Sequence, residues 1–154
     1  DSDPSFSTIS LALDGSQGVL EEMFATTAGQ GRGLHFFFVD RFEGGFPGAT
    51  VAGVSGGIPG PPLAPGNPSS GVAVAISSAM GDPGTLAHVM AHEGGHWLGL
   101  FHTSEVVGTE DQHPETPGGQ AGDTHLMFPA VGGGTTISPS QGRVLRLSAE
   151  VVAQ

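Results

Sequence analysis

The stretch that decides the fold is HEGGHWLGLFH, residues 92–102. Residues four apart on a helix lie on the same face, so His92 and His96 can present two imidazoles to one metal ion. A neutral imidazole is an ordinary zinc ligand, with a nitrogen-to-zinc distance of about 2.0–2.1 Å. Glu93 lies beside that face, near enough to contact a metal-bound water without taking a ligand position. The spacing therefore predicts a metal site on this helix.

The end of the stretch adds a third ligand to the predicted site. Gly99 permits a positive φ, which lets the chain turn sharply after the helix and carry His102 back toward the histidine pair. Three protein ligands leave a fourth position open for water, which is typical of a catalytic zinc site. A bare HExxH pattern also arises by chance on amphipathic helices with half-buried histidines. Gly99 and His102 at the correct offsets make zinc the stronger interpretation.

Apolar patterning before the motif predicts four strands and a helix. The strands are expected at 6–13, 34–39, 49–54 and 71–77. The aromatic run at 34–39 is typical of a buried central strand, and helical spacing of apolar residues predicts a helix over 17–28. Asp82 as the N-cap, with a proline behind it, starts the motif helix, which is expected to run to about Leu98.

The residues after the motif predict an irregular segment and a final helix. SPSQ at 138–141 is a capping box with proline in its first turn, which predicts the start of a helix. The apolar residues expected on this helix are Val144, Leu145, Leu147, Val151 and Val152. Residues 103–124 are polar and loop-like, and no repeat or domain boundary is visible.

Composition excludes several partners. Four Arg and no Lys stand against fifteen Asp and Glu, a net charge of −11. Nucleic acids and anionic membranes require clustered basic residues, so we expect neither as a partner. The uncharged stretch 44–81 contains six prolines, which break any membrane-spanning helix there, so no membrane insertion is expected. The chain has no cysteine, which excludes disulfides and thiolate ligands.

The motif resembles that of the metzincin metallopeptidases, HExxHxxGxxH. The five matching residues are His92, Glu93, His96, Gly99 and His102. Metzincins also carry a methionine turn below the zinc, and DTHLMFP at 123–129 places Met127 where that turn is expected. Within the clan the chain looks most like the pappalysin and cytophagalysin branch. The stretches that carry this second likeness are 85–88, 97–103, 115–117 and 138–141.

The chain also departs from the metzincin pattern. It contains no tyrosine, so the tyrosine that some metzincins place after the turn methionine is replaced by Phe128. Any role of that hydroxyl as a metal ligand or as a donor to an oxyanion is therefore absent.

The resemblance implies an α/β (α+β) fold of one metallopeptidase domain over 1–154. About 1–99 would form an N-terminal subdomain, with a twisted mixed sheet, a backing helix and the active-site helix. About 100–154 would form a small irregular C-terminal subdomain, with the methionine turn and the last helix. Substrate is expected to lie extended along an upper edge strand, for which Val72 to Ser77 is the best candidate.

The predicted function is that of a zinc-dependent endopeptidase, with His92, His96 and His102 as Zn²⁺ ligands and Glu93 as the general base. A protein or peptide would be the substrate of a monomeric, extracellular enzyme, secreted or at the cell surface. The alternative is a catalytically silent, zinc-stabilised binding or surface module. Intact Glu93 argues against that alternative, because structural zinc needs no general base.

A calcium ion is a further cofactor expectation. Five acidic residues and no basic residue lie between the third histidine and the methionine turn. They are Glu105, Glu110, Asp111, Glu115 and Asp123. Crowded carboxylates require either full solvation or a cation, and Ca²⁺ accepts six to eight oxygen ligands. Pappalysin-like proteins bind calcium near this region, so the resemblance adds to the expectation. A solvated acidic loop is the other interpretation.

Two remaining patterns give weaker indications of function. His88 continues the histidine stripe and is expected to be packed beside the site. His125, two residues before Met127, either faces the cleft or is a loop histidine without a role, and His35 and His113 have no assigned partner. GVSGG at 53–57 matches the GxSxG elbow of serine hydrolases. That elbow must lead into a helix, and the prolines from residue 59 onward prevent one, so we reject it.

Overall fold

The computed structural model describes residues 3–11, 18–45, 48–79, 81–104, 123–132, 134–149 and 151. These residues form a mixed α/β fold that is compatible with the predicted α+β class. The strands are β1 Thr8–Leu11, β2 Phe36–Val39, β3 Arg41–Gly44, β4 Gly53–Ser55 and β5 Val72–Ala75. The α-helices are α1 Gly18–Ala25, α2 Pro83–Trp97 and α3 Pro139–Leu147, with 3₁₀ helices at Pro4–Phe6 and Ser77–Ala79. Over these ranges, no helix has the length and apolar character needed to cross a membrane.

The strands form two small sheets. One contains β1 and β3 in parallel, with Thr8 opposite Arg41. The other has the order β2-β5-β4, in which β2 runs parallel and β4 antiparallel to β5. This second sheet is therefore mixed, as the sequence analysis predicts.

The position of β5 corrects two expectations. The sequence analysis places 72–77 at an edge and 34–39 in the centre, whereas β5 is paired on both sides and all its residues are buried. β2 ends this sheet within the described residues, and Phe38 is 51% exposed. A continuous run of small apolar residues is typical of a strand covered on both faces, which agrees with the burial of β5, whereas its central position comes from its pairing with β4 as well as β2.

Two helices cover the opposite faces of the three-stranded sheet. Helix α1 packs on the face that carries Ala73 and Ala75. Helix α2 packs on the other face, which carries Val72 and Val74. Alternation along β5 thus divides the interior into two apolar clusters, and the sheet supports the helix that carries the zinc motif.

Several predicted element boundaries are wrong, and β4 begins at Gly53 rather than residue 49. β1 begins at Thr8 rather than residue 6, because Asp3 caps a 3₁₀ turn by accepting the N–H of Ser5 at 2.9 Å. Helix α1 ends at Ala25 rather than residue 28, and the hydroxyl of Thr26 bonds to a carbonyl of its last turn. Helix α3 ends at Leu147, so Val151 lies in a turn, and Val152 lies outside the described residues.

The far end of α2 is covered by a loop. Trp97, the last residue of α2, is 1% exposed, and its carbonyl accepts the N–H of Gly60 at 2.8 Å. A Cβ atom at Gly60 would overlap the indole nitrogen, so only glycine permits this approach. The loop and the indole together close the interior behind the histidine motif.

The chain after the motif returns to α2 through an irregular segment. The N–H of Leu126 bonds to the carbonyl of Thr136 at 3.0 Å, and the N–H of Thr136 bonds to the carbonyl of Thr124 at 3.1 Å. Helix α3 follows, with the predicted capping box between Ser138 and Gln141. The predicted division at about residue 99 stays a prediction.

Candidate metal centre

Helix α2 presents His92 and His96 on one face. It begins as the sequence predicts, with the Asp82 carboxylate accepting the N–H groups of Gly84 at 3.3 Å and Thr85 at 2.8 Å. The two histidines lie one turn apart, 8% and 6% exposed, with ring centroids separated by 4.8 Å. Helical periodicity alone therefore brings two imidazoles together in a buried setting.

The turn after α2 brings in the third histidine. Gly99 has φ of 107°, a conformation that favours glycine, as the sequence analysis predicts. The Nε2 atom of His102 lies 3.1 Å from Nε2 of His92 and 2.9 Å from Nε2 of His96. The ligand atoms of all three side chains lie within 4.8 Å of one another. The three histidines form a group that can hold a metal ion.

The orientation of the imidazoles fits a metal ion. Nδ1 of His92 donates to the carbonyl of Leu126, and Nδ1 of His96 donates to the carbonyl of Leu100, each at 2.7 Å. Because a carbonyl only accepts, both rings carry their proton on Nδ1 and direct a bare Nε2 toward His102. Metal-binding histidines almost always use the second nitrogen in this way. Zinc-bound nitrogens in a tetrahedral site are about 3.3 Å apart, close to the separations found here.

Burial also sets the protonation state of the pair. Burial, together with the charge of the neighbouring histidines, lowers the pKa of His92 to about 4 and the pKa of His96 to about 3. The hydrogen bonds to Leu126 and Leu100 oppose this shift only in part. Both imidazoles are therefore neutral at neutral pH, which is the form that binds a metal ion.

Met127 packs beneath the histidine pair. Its side chain is fully buried, and a Cβ atom at Gly95 would lie 2.6 Å from its sulfur. The same segment contacts both ligand-bearing parts of the chain, because the Leu126 carbonyl accepts from His92 and the Met127 carbonyl accepts the N–H of Thr103 at 3.0 Å. Met127 therefore packs against the turn of α2 between the two histidines, while its assignment to a methionine turn stays a prediction.

No model of a known protein family, no curated protein and no solved structure matches this chain. The argument for a metal centre therefore depends on the converging histidines and on the contacts that orient them. The resemblance to metzincins is carried by the motif residues alone and stays a hypothesis.

Glu93 lies next to the histidine pair, in contact with strand β4. Its side chain is 7% exposed, and a Cβ atom at Gly53 would lie 2.5 Å from its Cγ and 2.8 Å from its Oε1. Burial raises the pKa of Glu93 to about 8, and a hydrogen bond from the backbone of Ser55 opposes that rise. The carboxyl group is thus held between the motif helix and one strand of the sheet.

The sequence analysis does not find this role of strand β4. It considers GVSGG at 53–57 only as a nucleophile elbow, and that rejection is confirmed, since turns rather than a helix follow β4. A glycine inside a short strand is nevertheless a signal, because it often marks a close approach of another group. Gly53 is such a position.

The other described histidines lie outside the group of three. His88 is half-buried, one turn before His92, and its Nε2 has no hydrogen-bond partner among the described residues. His125 is buried, with Nδ1 3.4 Å from the hydroxyl of Thr124. His35 donates from Nε2 to the carbonyl of Gly31 at 3.0 Å.

The predicted calcium site falls largely outside the described residues. Glu105, Glu110, Asp111, Glu115 and His113 are all in the undescribed range 105–122. Asp123 is described and exposed. The calcium expectation therefore stays a prediction.

Proposed function

We propose that the protein is a zinc-dependent endopeptidase of the metzincin type, with His92, His96 and His102 as the zinc ligands. The observation that carries the proposal is the convergence of three histidine ligand atoms at the helix that also carries the buried Glu93. Structural zinc sites are almost always closed by four protein ligands, whereas catalytic sites use three and an open position. The described residues supply three, and Met127 beneath Gly95 supports the same family assignment.

The side chains of the site have two roles in this reaction: the three histidines bind the metal ion and Glu93 transfers a proton. His92, His96 and His102 would hold the zinc, which when bound would lower the pKa of a water molecule to about 7 and act as a Lewis acid toward the scissile carbonyl. Glu93 accepts a proton from the attacking water on a carboxylate oxygen. It then delivers that proton to the amide nitrogen as the C–N bond breaks, which leaves one carboxylate and one amine.

The ionisation of Glu93 is consistent with this role. Burial, opposed in part by the hydrogen bond from Ser55, raises its pKa to about 8, which favours the protonated form at neutral pH. A nearby positive charge lowers the pKa of a carboxyl group. A divalent cation at the three histidines therefore favours the carboxylate that a general base requires.

Strand β4 is the proposed place for an extended substrate. It pairs with β5 on one side and lies against Glu93, and the described residues put no strand on its other side. An extended peptide can add to such an edge through main-chain hydrogen bonds, with little dependence on its sequence. The proposal thus moves the substrate strand from 72–77 to 53–55.

The first experiment compares zinc-loaded wild type with the Glu93→Gln variant on labelled casein, with and without a chelator. We expect chelation to abolish hydrolysis and added zinc to restore it. Glutamine cannot accept the proton, so Glu93→Gln should keep its zinc and lose about 10²–10⁴-fold in turnover. Glu21→Gln, an exposed helical change of the same kind, is the matched control.

Two outcomes of that experiment would overturn the proposal. Hydrolysis that survives both chelation and Glu93→Gln would exclude the assigned centre. A folded, zinc-loaded wild type without any hydrolysis would favour the zinc-stabilised binding module.

A further inference from the structure

We infer that strand β4 positions the Glu93 carboxyl group through two features of its backbone, the absent side chain of Gly53 and the N–H of Ser55. The inference rests on the proposed function, because it assigns these residues a role toward the general base. Neither residue is expected to touch the substrate's reacting atoms, so both are positioning residues.

The register of β4 determines where its polar groups point. Two hydrogen bonds of 2.9 Å join it to the neighbouring strand, from the N–H of Ala75 to the carbonyl of Ala52 and from the N–H of Gly56 to the carbonyl of Gly71. In an antiparallel pair, alternate residues bond to the partner strand and those between them face away. Gly53 and Ser55 therefore direct their N–H and C=O groups away from β5.

The N–H of Ser55 is used by Glu93. It donates a hydrogen bond to the carboxyl group, across from the bonds that join β4 to β5. A carboxylate is a stronger hydrogen-bond acceptor than a neutral group, and the strand that carries the N–H is fixed by its ladder. The bond therefore ties the orientation of a flexible side chain to the sheet.

Gly53 provides the space in which Glu93 lies. Its φ is not in the left-handed region, so the backbone conformation does not require glycine. Its role is steric, because a Cβ atom would approach Cγ of Glu93 to 2.5 Å and Oε1 to 2.8 Å. Real Cβ atoms do not approach so closely, so any side chain at position 53 must displace the glutamate.

Two pairs of variants separate these features from general effects on folding. Gly53→Ala adds one methyl group against Glu93, and Gly31→Ala adds one where no atom lies within 4 Å. Ser55→Pro removes the N–H, and Ser55→Ala keeps it while losing the hydroxyl bond to the carbonyl of Gly57. Zinc content, the unfolding midpoint, kcat and KM are measured for each variant.

We expect Gly53→Ala and Ser55→Pro to bind one zinc and to lower kcat by about tenfold or more, a share of the 10²–10⁴-fold that a general base contributes. KM should change little, because the N–H of Ser55 is already bonded to Glu93 and no substrate contact is lost. Gly31→Ala should match wild type, and Ser55→Ala, which keeps the N–H, should lose less kcat than Ser55→Pro. Wild-type kcat in Gly53→Ala, or an equal loss in Ser55→Ala and Ser55→Pro, would overturn the inference.

A measurement independent of activity separates this inference from the proposed function. In zinc-loaded, ¹⁵N-labelled protein, the amide proton of Ser55 should move upfield in Glu93→Gln, because a neutral amide is a weaker acceptor than a carboxylate. An unchanged resonance would overturn the inference even if Ser55→Pro fails to fold. If wild type lacks peptidase activity but the resonance moves, the proposed function fails and the contact between β4 and Glu93 stands.

Discussion

The candidate metal centre has two halves that are built in different ways. In the helix half, His92 and His96 are neighbours because an α-helix repeats every 3.6 residues. In the return half, His102 and Met127 reach the site through a turn at Gly99 and an irregular segment. The first half depends on local geometry, and the second on contacts between residues far apart in sequence.

Few described contacts join the two halves. The ring of His92 donates to the carbonyl of Leu126 at 2.7 Å, and the sulfur of Met127 lies against Gly95. The halves also differ in secondary structure. Helix α2 packs on the sheet, whereas the return segment has no regular secondary structure before α3 within the described residues. A change in the return half should therefore alter the metal site more than it alters the fold.

The largest effect is expected from His102→Ala, which removes the ligand of the return half. Loss of an outer partner of a metal ligand typically weakens binding about 10–100-fold, so loss of a ligand itself should exceed that range. Zinc affinity, measured by competition with a chromophoric chelator, should fall by more than about 100-fold. The circular dichroism of the helices should persist.

His35→Ala is the matched control for that measurement, since His35 bonds to the carbonyl of Gly31 and is not one of the three converging histidines. It should retain full zinc affinity. Full zinc affinity in His102→Ala would remove the return half from the ligand set.

A smaller effect is expected at the contact between the halves. Gly95→Ala places a methyl group 2.6 Å from the sulfur of Met127, and overpacking of a core costs about 1–3 kcal/mol. Gly94→Ala meets only ordinary contacts, the nearest being 3.5 Å to Leu34, so it should gain up to about 1 kcal/mol of helix propensity. In urea, the unfolding midpoint of Gly95→Ala should be lower than that of wild type, and the midpoint of Gly94→Ala should be higher. Two variants that shift the midpoint equally would show that Met127 does not restrict α2.

The smallest effect is expected at the start of α2, far along the helix from the return half. The Thr85 hydroxyl, followed by the N–H groups of Thr85 and Gly84, holds the pKa of Asp82 below its usual value. A carboxyl group with a lowered pKa stabilises the fold above its unfolded pKa, and this contribution is lost as the pH falls through the folded pKa. The difference in the free energy of unfolding between wild type and Asp82→Ala should therefore become smaller below about pH 4.

Asp82→Asn is the control, because asparagine caps a helix without titrating. Its stability relative to Asp82→Ala should depend little on pH. A gap between wild type and Asp82→Ala that widens in acid would contradict the assigned cap.

The sequence predicts the parts of the site that depend on local spacing. The histidine pair, the turn at Gly99 and the caps at Asp82 and Ser138 all follow from residues within a few positions of one another. The return of His102 also follows, because a glycine at the helix end limits where three further residues can go. The fold class follows from the alternation of strand and helix patterns.

The sequence does not predict the parts that depend on strand pairing. β2 and β5 are both short apolar runs, and only the pairing of β5 with β4 makes β5 central. The approach of Gly53 to Glu93 depends on the same pairing. Apart from the glycine at position 53, the local sequence contains no pattern that predicts the central position of β5 or the approach of Gly53 to Glu93.

The indole behind the motif gives the protein an optical property of its own. Trp97 is the single tryptophan and the chain has no tyrosine, so excitation near 295 nm, about the red edge of indole absorption, reports one residue. That residue is buried under Gly60 and directly follows His96 in α2. Its emission therefore follows the state of the core behind the histidines, without any added label.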